Sequence, residues 1–203
     1  MSSVKNLNSL LIVLLLFGCN GSAKAPAKHD ASSDIEIKQT SDLQKLLAKF
    51  KEVSEDTFKV ASSLNLNNDN YRFKGEALDD TEIKLLPEDM IKTYPSDKNY
   101  YACFKFRMDK THTGLIIRTP STYMPSSIKL FVLDNSKGMI INSYIELAET
   151  VIEIVEYWDK KTWIIKDKTS MTSFLMWEHQ NEDTTEIFYK IRFTGEKFDT
   201  LSV

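Results

Sequence analysis

The chain has 203 residues, a formal net charge of −3, and apolar and charged fractions of 42% and 27%, ordinary for a globular protein. A folded body of roughly 160 residues buries about 70% of the surface its unfolded chain exposes, so one domain can stand without disulfide or metal staples. With 26 basic against 29 acidic side chains, no cationic excess exists to neutralise a run of phosphates, which excludes nucleic acid as an expected partner.

Residues 1–18 read as a secretory leader. Lys5 supplies the positive start, and Leu10-Leu11-Ile12-Val13-Leu14-Leu15-Leu16-Phe17 is the apolar stretch. As a helix that stretch rises only about 12 Å, far short of the roughly 30 Å hydrocarbon core, so it is a removable address and not a span. The run Leu16-Phe17-Gly18-Cys19 resembles the lipobox of bacterial lipoproteins. The resemblance covers the leader alone. It implies that the Cys19 thiol receives a diacylglycerol, that the leader is cut before it, and that the new amino end is acylated too. Acyl chains at about 0.8 kcal/mol per buried methylene then hold the protein on a membrane. Asn20 stands where many inner-membrane lipoproteins carry aspartate, which by the same resemblance implies an outer-membrane destination.

Residues 19–39 form the lipidated cysteine and a tether. Gly, Ser, Ala, Lys and Asp dominate there, with Pro26 and His29, and such a segment buries too little surface to offset its ordering entropy. The globular domain is expected over 40–203. Ser41-Asp42-Leu43-Gln44 has the form of a capping box, and Leu43, Leu46, Leu47, Phe50 and Val53 recur at helical spacing. That stripe predicts a helix lying as a lid on the core, with Lys45, Lys49, Lys51 and Glu52 facing water. The pattern extends through Phe58 and Ala61 to Leu64. Short strands are expected at Tyr71–Phe73 and Glu82–Leu86, and a helical turn begins at Pro87.

From Asn99 the period changes to two. Tyr100, Ala102, Phe104, Phe106 and Met108 alternate against Tyr101, Cys103, Lys105, Arg107 and Asp109, predicting a strand with one strongly apolar face. Ile128–Leu133 and Met139–Ile141 flank an Asp134–Gly138 loop, a hairpin in which Gly138 supplies the positive φ. That acidic loop lacks the later carboxylates of a calcium site and reads as a turn. Val151–Trp158 and Thr162–Lys166 flank Asp159-Lys160-Lys161, read as a turn. Ser173–Glu178 and Glu186–Phe193 follow, and Phe198, Leu201 and Val203 suggest a closing strand. The fold class expected is α+β, mainly β: an antiparallel meander, curved or barrel-like, behind an N-terminal helix.

Chemistry is sparse. Cys103 stands alone in the mature body inside an apolar run, which suits a buried hydrophobe. His112 and His179 have no second ligand at metal spacing. Glu146, Glu149, Glu153, Glu156, Glu178 and Glu186 read as solvated strand faces, although a glycoside hydrolase would need only two such groups at the right separation. Trp158, Trp163, Trp177, Tyr101, Tyr123, Tyr144 and Tyr157 read as packing and cross-strand pairs in place of a sugar platform. The segment Arg118–Pro125 concentrates hydroxyls, a cation and an aromatic, so Arg118, Ser121 and Tyr123 are the candidate ligand-binding residues. No catalytic, metal or cofactor residues are assigned. The expected role is a membrane-anchored envelope lipoprotein that acts by binding or support, with an envelope protein or glycan as partner. The rivals are a glycan- or peptide-binding module and a carboxylate-dependent hydrolase.

Overall fold

Alternating apolar and polar residues over most of the chain become strands of one eleven-stranded sheet. The computed structural model describes residues 41–122, 126–152, 157–166, 172–180 and 185–201, all within the compact unit Ser32–Val203. The strands are β1 (Lys51–Glu52), β2 (Thr57–Ala61), β3 (Glu76–Ala77), β4 (Tyr101–Arg107), β5 (His112–Thr119) and β6 (Ser127–Asp134). They continue as β7 (Met139–Ile152), β8 (Tyr157–Lys166), β9 (Thr172–Gln180), β10 (Thr185–Phe193) and β11 (Phe198–Leu201). Helices are α1 (41–48), α2 (Asp80–Ile83) and α3 (Glu88–Thr93). From β4 to β11 each strand runs antiparallel to the next in chain order, which is the expected meander. None of the described helices is long and apolar enough to cross a membrane.

The sheet folds over on itself at β7. The early part of this 14-residue strand pairs with β6, and Glu149–Ile152 pairs with β8. Register slips along β6 and β7 between Ile128 and Lys129, and again between Phe131 and Leu133. Bulges of this kind bend a strand and increase its twist. The result is two leaves, one built on β4–β6 and the other on β8–β11. Short β1 and β3 extend the first leaf beyond β4, and β2 joins the second by pairing with β8. Phe58 of β2 and Phe104 of β4 meet across the leaves with ring centroids 5.0 Å apart.

Two apolar cores follow. Between the leaves, Phe104, Phe106, Ile128, Leu130 and Val132 pack against Phe58, Val60, Ile164, Phe174, Met176 and Ile191. The other face of the first leaf presents Ala102, Leu115, Ile117, Phe131 and Leu133, covered by Leu43 and Leu46 of α1, Phe50, Leu86 and Met90. Leu43, Leu46 and Leu47 are therefore the helical lid that their spacing predicts, whereas Phe50 and Val53 of the same stripe lie past the helix end and Val53 packs between the leaves. Buried on both sides, β6 has no exposed residue, and its sequence is a near-continuous apolar run.

Five local expectations are corrected. The first helix stops at 48 and does not reach Leu64, because Thr57–Ala61 alternates at period two, with Phe58 and Val60 inward and Lys59 outward on β8. Glu82–Leu86 is not a strand. Asp79 caps α2 by accepting from the Thr81 and Glu82 amides at 2.8 and 2.9 Å, and Glu82 reaches back to the Asp79 amide at 2.8 Å. Tyr71–Phe73 is a turn. Asp159-Lys160-Lys161 is no turn either: β8 runs straight through it, pairing Asp159 with Thr150 and Lys160 with Glu149. Finally, β4 has two buried faces, since a register shift between Ala102 and Phe104 leaves Tyr100 and Ala102 under the helices and Phe104 and Phe106 between the leaves. Gly138 does hold the positive φ, 63°, in its hairpin.

Lys49 also departs from its expected place in water. Its ammonium lies 2.5 Å from the buried Glu82 carboxylate and 2.8 Å from the Ala77 carbonyl, so it locks α1 onto α2.

Candidate functional site

Where β7 crosses between the leaves, the apolar cores give way to a seam of charge. Lys129 of β6 stands in register with Glu146 of β7, and Glu149 of β7 with Lys160 of β8, which in turn faces Glu178 of β9. Antiparallel pairing puts such partners on one face with their side chains a few ångströms apart. The Lys129 ammonium lies 3.2 Å from Glu146, and that of Lys160 lies 3.3 Å from Glu146 and 2.9 Å from Glu178. A chain of alternating charge results: Lys129, Glu146, Lys160, Glu178. The Tyr189 hydroxyl donates to Glu178 at its far end, and burial, reinforced by that carboxylate, pushes the phenol's pKa up. Trp158 flanks the seam, with the Lys160 ammonium 4.8 Å from its ring centroid.

These groups are sheltered. Side-chain exposure is 9% for Lys129, 13% for Lys160, 16% for Glu178 and 24% for Glu146. The expectation of a solvated face is corrected for Glu146, Glu149 and Glu178, which are buried or half-buried where β6, β7, β8 and β9 bring them beside Lys129 and Lys160. Glu186 is exposed as expected, while Glu153 and Glu156 lie outside the described residues.

Glu149 differs from its neighbours. Among the described residues no ammonium stands within ion-pair distance of it, and its carboxylate accepts from the Ser121 hydroxyl. Burial raises its pKa above the ordinary carboxylate value, the nearby Glu146 charge adds to that, and the Ser121 hydrogen bond with the more distant Lys129 and Lys160 charges opposes it. A protonated Glu149 can donate a proton or a hydrogen bond, while Glu146 and Glu178, held by lysines, accept.

Beside the seam, Lys129 also donates to the Ser127 hydroxyl, which lies 3.2 Å from the Thr119 hydroxyl. A serine next to a lysine is one form of activated nucleophile. Here Ser127 and Thr119 are fully buried and Lys129 is held by Glu146, so the hydroxyl has no approach for a substrate.

The three residues singled out from the sequence do not share one site. Arg118 is buried on β5, where Nε and Nη2 donate to the carbonyls of Phe73 and Lys74 at 3.0 and 2.8 Å and the guanidinium lies 3.8 Å from the centre of the Tyr101 ring. It pins the segment before β3. Ser121 points instead to Glu149 in the seam, and Tyr123 lies outside the described residues. The tryptophans are split as well: Trp158 faces Lys160, whereas Trp163 sits under Lys59 on the opposite face of β8. His112 is held locally, Nδ1 2.8 Å from Asp109, and stacks edge-on against Phe193 at 5.1 Å. No cluster of three or more His, Cys, Asp or Glu among the described residues could hold a metal ion.

What the residue-by-residue reading missed was the pairing of carboxylates with lysines. The signal was present: lysine within β6 and paired lysines within β8, at positions where the neighbouring strands carry glutamate. It becomes legible only with the register. No family model, curated protein or solved structure matches the chain.

Proposed function

We propose that the chain is a lipoprotein of the cell envelope, held on the outer membrane through a lipid on Cys19, and that its β domain binds a polar envelope ligand, a glycan or a peptide, at the charged seam. The anchor reading draws on the leader and on Leu16-Phe17-Gly18-Cys19. One observation carries the binding reading: Lys129, Glu146, Lys160, Glu178 and Glu149 are gathered, largely buried, beside two apolar cores. An ion pair at 4 Å contributes about 4 kcal/mol at a protein-surface dielectric. Desolvation of each ion costs several kcal/mol, and well-packed apolar residues would often serve stability equally well. Charges kept in such a place in spite of that cost support a binding role for the seam. Ser121, Trp158 and Tyr189 add the hydroxyl and aromatic contacts that polar ligands use.

Two measurements test this reading. A fatty-acid probe should label the wild type and leave Cys19→Ala unlabelled and uncleaved; continued labelling of the variant contradicts the anchor. The folded Lys160→Met/Glu178→Gln variant should lose retention on immobilised envelope glycan and peptide fragments; retention equal to wild type contradicts the seam as the site.

A second reading, a carboxylate-dependent hydrolase, is favoured by one feature: the carboxyl groups of Glu149 and Glu146 lie near each other, and burial raises the pKa of Glu149. Two neighbouring carboxyl groups in different surroundings can divide the roles of acid and base. Under this reading Glu149→Gln abolishes turnover of a glycoside panel and leaves binding intact.

A further inference from the structure

The helical lid covers the first leaf incompletely. One ladder row across the leaf is Lys105, Leu115 and Phe131, with Leu115 and Phe131 buried under the helices; the next is Arg107, Thr113 and Leu133. At this outer row, between Leu47 of α1 and Asn135 of the β6–β7 turn, lies a groove of about 300 Å³. Leu47 and Leu133 give it an apolar floor, and Lys105, Arg107 and Lys110 give it a cationic rim.

We infer that this groove binds a small organic anion, a carboxylate head on a short apolar body. The charges around it do not balance. Among the described residues Glu52 is the one carboxylate in its lining, and it already stands 3.5 Å from Lys105, which also donates to the Leu47 carbonyl at 2.9 Å. Among the described residues Arg107 uses only Nε, on the Asp109 carbonyl at 2.9 Å, which leaves the outer guanidinium nitrogens for a ligand. The Asp109 carboxylate is engaged by Thr111 and His112 and is not part of the groove's lining. Lys110 is exposed, with no ion pair among the described residues. Among the described residues two cations, Arg107 and Lys110, thus stand over an apolar floor without a paired carboxylate, in a chain whose net charge is −3. The planar guanidinium fork matches a carboxylate's two oxygens, and Lys110 supplies a second point charge. The Thr113 hydroxyl donates to the Asn135 side-chain oxygen at 3.1 Å, which leaves the Asn135 amide N–H groups as further donors. The volume is at the lower end of ligand sites, fitting a body of a few carbons in place of a full-length acyl chain.

The test is calorimetric titration of hexanoate into the full-length chain at low ionic strength, where exposed charges are least screened. Saturable binding is expected, weakened at least tenfold in Arg107→Ala/Lys110→Ala. Both side chains are exposed, so the variant keeps the wild-type thermal midpoint. Leu133→Ser, which removes the floor but keeps the rim, should weaken hexanoate and leave inorganic phosphate unchanged. Absence of saturation, equal affinity in the double variant, or phosphate binding as tightly as hexanoate overturns the assignment.

Discussion

At Glu149 burial and charge oppose each other in one side chain. Its pKa is raised by burial, so between the ordinary carboxylate value and the raised one the native state binds more protons than the unfolded chain. Stability from this group is then fully present at the acidic end and is lost as pH rises through the raised value. Glu149→Gln should flatten that part of the stability profile, measured by urea unfolding across the acid range; an unchanged slope contradicts the assignment. Lys160 serves Glu146 and Glu178 together, and Glu146 keeps Lys129 without it, so Lys160→Met should cost about 3 kcal/mol by leaving the sheltered Glu178 carboxylate without its ammonium, and adding Glu178→Gln should recover part of the loss. Cys103 is buried, and burial pushes its thiol up to about 12. It should resist alkylation in the folded protein and react at the unfolding rate. The buried thiol was readable from its apolar neighbours, whereas Glu146, Glu149 and Glu178 were not: a glutamate on an alternating strand looks solvated until the register is known to bring lysines beside it.

At the scale of elements, close packing decides which substitutions the sheet tolerates. Gly114 sits on β5 where an added Cβ would stand 2.6 Å from the Phe106 ring and 3.1 Å from Leu130. Gly114→Ala should therefore destabilise by about 1–3 kcal/mol through overpacking, seen as a lower denaturant midpoint with an unchanged slope. Phe104 contacts Phe58 and Phe73 edge-on at 5.0 and 5.4 Å, and Phe104→Ala should cost about 3–5 kcal/mol. A cost near zero would place that face of β4 outside the core. The long strands of the meander were legible because period-two patterns and the Gly138 turn act locally. Short elements were not. The residues of β2 mimic helical spacing at Phe58 and Ala61, and only pairing with β8 settles them. The Asp79-x-x-Glu82 pattern was itself a capping box and could have replaced the strand expected at Glu82–Leu86. Strand β8 was misread because three charged residues in a row look like a turn, although each of Asp159, Lys160 and Lys161 has an oppositely charged partner within ion-pair distance.

For the molecule as a whole, the proposed lipid anchor would carry a two-leaf sheet. If residues 20–38 are the tether their composition suggests, deleting them should leave the thermal midpoint nearly unchanged; a large drop would show that this segment packs. The seam and the cationic groove lie on different parts of the sheet, so variants in one should leave binding at the other untouched. Everything proposed about function presumes that the domain works at a membrane surface, and that rests on covalent chemistry at one sulfur. Intact-mass spectrometry of the protein isolated from its own envelope tests it directly. The account predicts a chain beginning at Cys19 and carrying the added mass of a diacylglycerol with or without a further acyl group. A free Cys19 thiol, or a product that still carries residues 1–18, would contradict it.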